Sequence, residues 1–255
     1  GHCRKAEWSV VPAELRDAER TASKSQQADD GEFSRKIDSQ DEDIGSRAVI
    51  RNARELVWYP SEVDTSIRTG WFYHPEEDTD VRTADELLDI YLDAVGANAS
   101  LLLNIPPDTH GRIAAPDCAS LAELGTKIQQ IFAGNVTEKA KITADSAIAQ
   151  HPITQAVDGM ADTYWQAAYG QEFDTITLKF PKPQKVSCVV LGEHLPTGQR
   201  IESGEIWADG SKVSEFTVVG HKRICRFAPV EVLTLTIKIT ASRTEPTLRL
   251  LAVYQ

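Results

Sequence analysis

Between Ser61 and His74 the chain places two carboxylates (Glu62, Asp64), an arginine (Arg68), three aromatics (Trp71, Phe72, Tyr73) and a histidine (His74). The surrounding stretch, SEVDTSIRTGWFYHPEED, has no helical stripe and no long alternation, so it reads as a loop. Its side chains can pair ionically, exchange hydrogen bonds and offer flat apolar contact. Glu62, Asp64 and Arg68 could simply pair with one another as a loop scaffold, and Trp71 could simply fill a core. Elsewhere the chemistry is sparse. The four cysteines, at 3, 118, 188 and 225, have no metal-ligand spacing and form no Cys-x-x-Cys. Cys188 and Cys225 lie in the strand-like runs VSCVVLG and RICRF, where they read as small buried hydrophobes, with a disulfide as the alternative.

The elements that must position these residues change character near residue 135. RTADELLDIYLDAV (82–95) predicts an amphipathic helix with Leu87, Leu88, Tyr91, Leu92 and Val95 on its apolar face. Thr83 and Glu86 are spaced for a capping box. LLLNI (101–105) is continuous rather than alternating, as parallel strands buried on both faces are. PPDTHGRI turns, and a second helix starts near Pro116 and Asp117, with Leu121, Leu124, Ile128 and Phe132 on one face. Such alternation is the grammar of an α/β barrel or a doubly wound sheet. Upstream, 18–47 is polar and reads as a solvated excursion. After 135 the runs DTITLKF, VSCVVLG, GEIWA, VSEFTVV, LTLTIKIT and TLRLLAVY predict an antiparallel β-sandwich. No long linker intervenes, so the two parts are expected to pack together.

The composition, 41% hydrophobic and 25% charged, is that of an ordinary globular protein, and 255 residues are enough for one large or two medium domains. A net charge of −11 argues against nucleic acid and against an anionic membrane surface as partners. No apolar run approaches the ~20 residues of a membrane helix, and the basic opening residues GHCRKAEWSVVP are not followed by the apolar core of a signal peptide. The triplets Asn98-Ala-Ser and Asn135-Val-Thr match the glycosylation acceptor pattern, which is common by chance.

EWSVVP (7–12), EVDTSIRTGWFYH (62–74) and LLLNIPPDTHGRI (101–113), in that order, resemble glycoside hydrolase family 29, the α-L-fucosidases, and most closely the branch acting on α-1,3/1,4 linkages. AVDGMADTYW (156–165), LPTGQRI (195–201) and the strand pattern resemble a discoidin-like, galactose-binding-type sandwich. The resemblance implies an α/β plus all-β fold: 1–135 as the C-terminal part of a (β/α) TIM-like barrel, and 136–255 as the β-sandwich. Active sites of such barrels lie at the C-terminal ends of the strands. The resemblance makes 61–74 one wall of a sugar pocket, with Trp71 packing on the apolar face of fucose and His74, Glu62 and Asp64 in polar or supporting roles.

Retaining glycosidases need two carboxyls ~5–5.5 Å apart. By resemblance the nucleophilic aspartate and the acid/base glutamate are expected upstream of Gly1, and Glu7 does not stand at the acid's motif position. The implied protein is a retaining α-L-fucosidase needing no catalytic cofactor, here a C-terminal portion whose partners are a fucosylated oligosaccharide or glycoconjugate and the other part of the barrel. The family suggests a secreted, periplasmic or lysosomal setting. The rival readings are a non-catalytic carbohydrate-binding module, for which WQAAYGQEF (165–173) supplies loop aromatics with Trp165 equally suited to a core, and a structural module that buttresses the barrel. The discoidin-like resemblance also suggests a structural Ca²⁺ at DGMADT, where Asp158, Asp162 and Thr163 offer hard oxygen ligands.

Overall fold

The structure, a computed structural model, describes residues 8–17 and 44–255. Glu7, Cys3 and most of the polar excursion lie outside the described residues. Near the start, β1 (Val10–Pro12) pairs antiparallel with β2 (Leu56–Trp58). A parallel pair follows, β3 (Glu62–Ser66) and β4 (Ser100–Asn104), with Asp64 opposite Leu102. Their crossover is α1 (Ala84–Val95), and α2 (Ala115–Ala133) comes after β4. The expected capping box is present: the Glu86 N–H donates to the Thr83 hydroxyl, and the Thr83 N–H donates to Glu86 at 2.8 Å. Leu87 and Leu124 close a small core with Ile67, against which Leu88, Leu103, Leu121 and Ile128 pack. β4 is not buried on both faces as expected: Leu102 is 52% exposed. Among the described residues β4 pairs with β3 alone, so its run of leucines has one neighbour rather than two.

Beyond α2 the chain builds a mainly antiparallel sheet from β5 (Lys141–Ala144), β7 (Asp174–Gly192), β8 (Ile201–Ala208), β9 (Ser211–Phe216), β10 (Arg223–Ser242) and β12 (Leu250–Tyr254), in the order β12-β7-β10-β8-β9 with β5 also on β7. A small pair, β6 (Trp165–Gln166) and β11 (Thr247–Leu248), lies beside it. DTITLKF and VSCVVLG, which read as two strands, are the two halves of β7, and RICRF and LTLTIKIT are joined within β10. Register shifts separate the halves between Arg226 and Val230 and between Val232 and Thr234. Pro181, Pro183 and Pro229 sit in or beside these irregular stretches, where a missing N–H is tolerated and extra residues bend a strand. Both halves feed one core, which includes Trp165, Ile176, Val189, Leu191, Ile206, Leu235, Ile237 and Val253.

The cysteines follow the strand alternation. Cys225 faces that core, whereas Cys188, on the neighbouring strand, faces the opposite side with Val190 and Ala252. Both are free and buried, and burial pushes the thiols up to about 12 for Cys188 and about 11 for Cys225. The second face of the sheet meets the helical part: Phe132 of α2 packs edge-on against Tyr254 with ring centroids 5.2 Å apart. Asn98 ties the same junction. It adopts φ 67°, its Oδ1 accepts the His221 N–H at 2.6 Å, and its own N–H donates to the Lys222 carbonyl at 3.1 Å. A side chain so committed is a fastening of the fold, whatever its acceptor triplet suggests. Among the described residues no helix is long and apolar enough to cross a membrane.

Candidate functional site

Because β3 and β4 are parallel and in register, their following loops emerge at the same end. The loop after β3 starts from a buried guanidinium. Arg68 donates from Nε to Asp117 Oδ2 (3.1 Å) and from Nη2 to Asp117 Oδ1 (2.9 Å), a bidentate pair in which both side chains are fully buried. Nη2 also donates to Asp78 Oδ1 at 2.8 Å, and Nη1 to the His74 carbonyl at 3.3 Å. Burial opposes the charge on Arg68, but the hydrogen bonds and charges of Asp117 and Asp78 prevail and raise its pKa further. The guanidinium lies 4.7 Å from the Tyr73 ring centroid. Asp117 sits in the first turn of α2, where exposed N–H groups favour a carboxylate.

Arg68 therefore gathers 74–78 and the start of α2 around one point. The far side of the loop is held by Asn104 at the end of β4, whose Nδ2 donates to the Ser66 hydroxyl (3.1 Å) and to the Trp71 carbonyl (3.0 Å). Thr69 donates to Asp80 at 3.0 Å. These ties leave two rings outside: Trp71 is 52% exposed and Phe72 is 78% exposed. Trp71 is thus not a core residue in this chain. The loop after β4 is equally fixed, since Asp108 Oδ1 accepts the N–H groups of His110 (2.8 Å) and Arg112 (2.9 Å). Those bonds come first among the causes holding the Asp108 carboxyl below its ordinary range.

Glu62 and Asp64 alternate outward along β3, exposed, and His74 is exposed as well. Neither Glu62 nor Asp64 pairs with Arg68, so the mutually paired scaffold is corrected: the partners of Arg68 are Asp117 and Asp78. The period-2 geometry explains this, because carboxylates at 62 and 64 share one strand face while Arg68 lies beyond the strand end and turns inward. Asp117 was missed as an ion-pair partner. Its sequence signal was only an acidic residue at a helix start, which is common on any surface.

In the sheet region Asp158 accepts the Thr163 hydroxyl at both carboxylate oxygens (2.9 and 2.8 Å) and the Met160 N–H at 2.9 Å. Asp162 is not part of that set. Among the described residues no group of three or more His, Cys, Asp or Glu side chains could hold a metal ion. Trp165 is core: fully buried, with Nε1 donating to the Ser146 carbonyl at 3.0 Å. Tyr169 and Phe173 are the exposed aromatics of that loop, which Glu245 anchors by accepting the Gly170 N–H at 2.8 Å.

Comparison with known proteins gives a consistent picture. The family model described as Alpha-L-fucosidase matches residues 17–130. "Alpha-L-fucosidase 1" of Arabidopsis thaliana is 32% identical over 209 residues, which are 77% of this chain and 41% of the plant protein. A solved Bacteroides thetaiotaomicron structure with an alpha-L-fucosidase assignment is similar over 100% of this chain and 52% of its own, with TM-score 0.80 and 26% identity. A GH29 fucosidase of Ruminococcus gnavus, solved in complex with fucose, is similar over 78% of this chain and 41% of its own, with TM-score 0.72 and 27% identity. The mixed α/β fold with sheets is thus that of GH29 structures, and the chain spans about two fifths of the length of its curated relative.

Proposed function

Starting from a chain that belongs to the GH29 alpha-L-fucosidase family by its matched residues, curated relatives and solved neighbours, we propose that it is the C-terminal portion of a retaining α-L-fucosidase that removes terminal α-L-fucose from glycans. In this reading β3, β4, α1 and α2 are the last part of a TIM-like barrel, and 136–255 is a discoidin-like sandwich beside it. The substrate is a fucosylated oligosaccharide or glycoconjugate, and the linkages are of the α-1,3/1,4 type. One observation carries the reading: a loop at the C-terminal end of a parallel strand, fixed from below by Arg68, Asp117 and Asn104, presents the exposed ring of Trp71. A sugar has an apolar C–H face, and a rigid aromatic ring is the surface that matches it.

The division of labour follows from chemistry. Retention needs a nucleophilic carboxylate to attack the anomeric carbon, and a second carboxyl to protonate the leaving oxygen and later deprotonate water. We assign both to sequence other than these 255 residues. What this chain supplies is positioning: Trp71 on the apolar side of fucose, with His74 offering a hydroxyl partner and with Asp64 and Glu62, which lie back along β3 with Glu62 at its far end, in supporting roles. A structural Ca²⁺ at Asp158, Asp162 and Thr163 is a separable part of the proposal. The Thr163 hydroxyl would have to turn from donating to Asp158 to presenting its lone pair. Melting curves in millimolar Ca²⁺ and in chelator test this, and coincident curves remove the ion.

The central test uses the full-length protein and an aryl α-L-fucoside. Wild type should hydrolyse it with retention, and Trp71→Ala should lose about 2–3 kcal/mol of transition-state stabilisation with little change in Tm. Absence of fucosidase activity in the full-length protein overturns the function. A large stability loss with unchanged kinetics overturns the role of Trp71. The 255 residues alone should give no turnover above background. Turnover by them, abolished in Glu7→Ala, would show that the reacting carboxyl had been misassigned.

A second reading has its own observation. Tyr169 and Phe173 are exposed on the anchored loop of the sheet region, as a glycan-binding module would present them. Glycan binding by 136–255 that is lost in Tyr169→Ala would favour it.

A further inference from the structure

At the opposite end of β3 and β4 from Trp71, where the helical part meets the sheet, lies a cavity of about 220 Å³. It is lined by Ser9, Trp58, Asn98, Ser100, His221 and Lys222, among others. Its walls come from four separate parts of the fold: β1–β2, the chain running from the end of α1 into β4, the turn after β7 that carries Leu195, and the turn before β10. The walls are fixed. Asn98 fastens to both His221 and Lys222, and its Nδ2 donates to the Ser9 hydroxyl at 3.4 Å. Gly220, at φ +62°, lets this turn lie against Asn98: a Cβ there would come within 2.3 Å of the Asn98 amide.

Within this frame several groups have bonding capacity left over. Trp58 is 71% exposed, on the strand face opposite to Val57, which packs in a core. Among the described residues the Lys222 ammonium meets no carboxylate, and it lies 5.9 Å from the centroid of the Phe132 ring. The exposed His221 ring has no hydrogen-bond partner among the described residues. Burial comes first, and the nearby charges of Arg249 and Lys222 second, in lowering its pKa, so it presents a neutral imidazole with one donor and one acceptor. Ser100 adds an exposed hydroxyl. A cationic spot of this kind is notable in a chain of net charge −11.

We propose that this junction cavity binds a single pyranose carrying a carboxylate, with Trp58 under the C–H face of the ring, Lys222 at the carboxylate, and His221 and Ser100 at hydroxyls. The volume lies below the ~300–1,000 Å³ of sites for drug-sized ligands, which matches one sugar ring rather than an oligosaccharide. An aromatic platform ringed by donors and acceptors is selective for a ring with one apolar face and several hydroxyls. The unpaired ammonium then distinguishes an acidic sugar from a neutral one. This inference does not rest on the fucosidase reading.

The test compares methyl β-D-glucuronide with methyl β-D-glucoside, a pair differing in one carboxylate, by saturation-transfer NMR on the full-length protein. The glucuronide should bind about fivefold more tightly at low salt, an advantage that fades as salt screens the charge. Lys222→Met, which keeps the apolar stem, should erase the difference. Trp58→Ala should weaken both ligands by about tenfold or more, at unchanged Tm. Trp71→Ala should leave both affinities alone, so the outcome is separate from that of the fucosidase test. Absence of binding, equal binding of the two glycosides, or binding indifferent to Trp58→Ala would each overturn the proposal.

Discussion

Arg68 is the residue on which the 67–80 loop depends, and the energetics of a buried ion pair say how it should fail. Truncation leaves Asp117 charged and buried with no counter-charge, which costs about 3–5 kcal/mol. Arg68→Ala should therefore lower the unfolding free energy, read from denaturant melts, by that amount, and Arg68→Lys should recover only part of it, since an ammonium cannot make the bidentate contact. The pair replacement Arg68→Met with Asp117→Leu should be far milder than Arg68→Ala, because no orphan charge remains. Equal losses for single and double replacements would refute the account. Glu62→Gln and Asp64→Asn, exposed on β3, should each stay within about 0.5 kcal/mol. These residues also mark what the sequence could express. The cluster at 61–74 was visible as a stretch rich in chemistry, but reading all of it as loop was wrong: Glu62–Ser66 is the strand β3, and the loop begins only after it. That Arg68 turns inward to a partner 49 residues away was not visible, because a long-range ion pair leaves no local pattern and Asp117 resembled an ordinary helix start.

At the scale of elements, local rules were legible where local forces decide. The Thr83–Glu86 box was readable because both partners lie within one turn, and Thr83→Ala should cost about 1 kcal/mol by losing a bond to a first-turn N–H. The long strands were not legible. The prolines at 181, 183 and 229 read as breaks, whereas the sheet absorbs them at register shifts inside β7 and β10. The turns around the sheet hold a further device that no pattern announces. Glu193 is fully buried and accepts the N–H groups of Arg200 (2.7 Å), Ile201 (2.9 Å) and Gly220 (2.7 Å), clasping two turns together. Burial nevertheless dominates and pushes its carboxyl up to about 7. A carboxyl raised on folding binds more protons folded than unfolded. It therefore subtracts stability as pH rises from its unfolded value of about 4.5 to about 7, on the order of 3 kcal/mol in total. His194 and His221 act oppositely: burial first lowers both, so they cost stability as pH falls below about 6.5. Glu193→Gln isolates the first contribution. The wild-type stability minus that of the variant should fall between pH 4.5 and 7, and a flat difference would refute the assignment.

On the scale of the whole molecule, the two parts differ in how far each can close a core alone. From Val136 onward the sheet region owns its main core, with both halves of β7 and β10 contributing and Trp165 sealed inside. Its debt to the helical part is smaller: the face with Cys188, Val190 and Ala252, which Phe132 helps to cover, and the Asn98 fastening of the 220–222 turn. The helical part holds a few buried side chains around Ile67, Leu87 and Leu124, and it leaves Leu56, Trp58 and Leu102 exposed. Residues 136–255 are thus expected to melt cooperatively as a monomer, at a lower temperature than within the chain because one sheet face is uncovered. Residues 1–135 should instead give an aggregating species with strong dye binding, since their apolar strand faces have too little to pack against. Expressing both pieces and comparing thermal unfolding with light scattering decides the matter. If 1–135 melts cooperatively as a monomer while 136–255 does not, the division at 135 is wrong. If both melt independently at the temperature of the intact chain, then Phe132, Tyr254 and Asn98 contribute no coupling, and the junction is a passive contact.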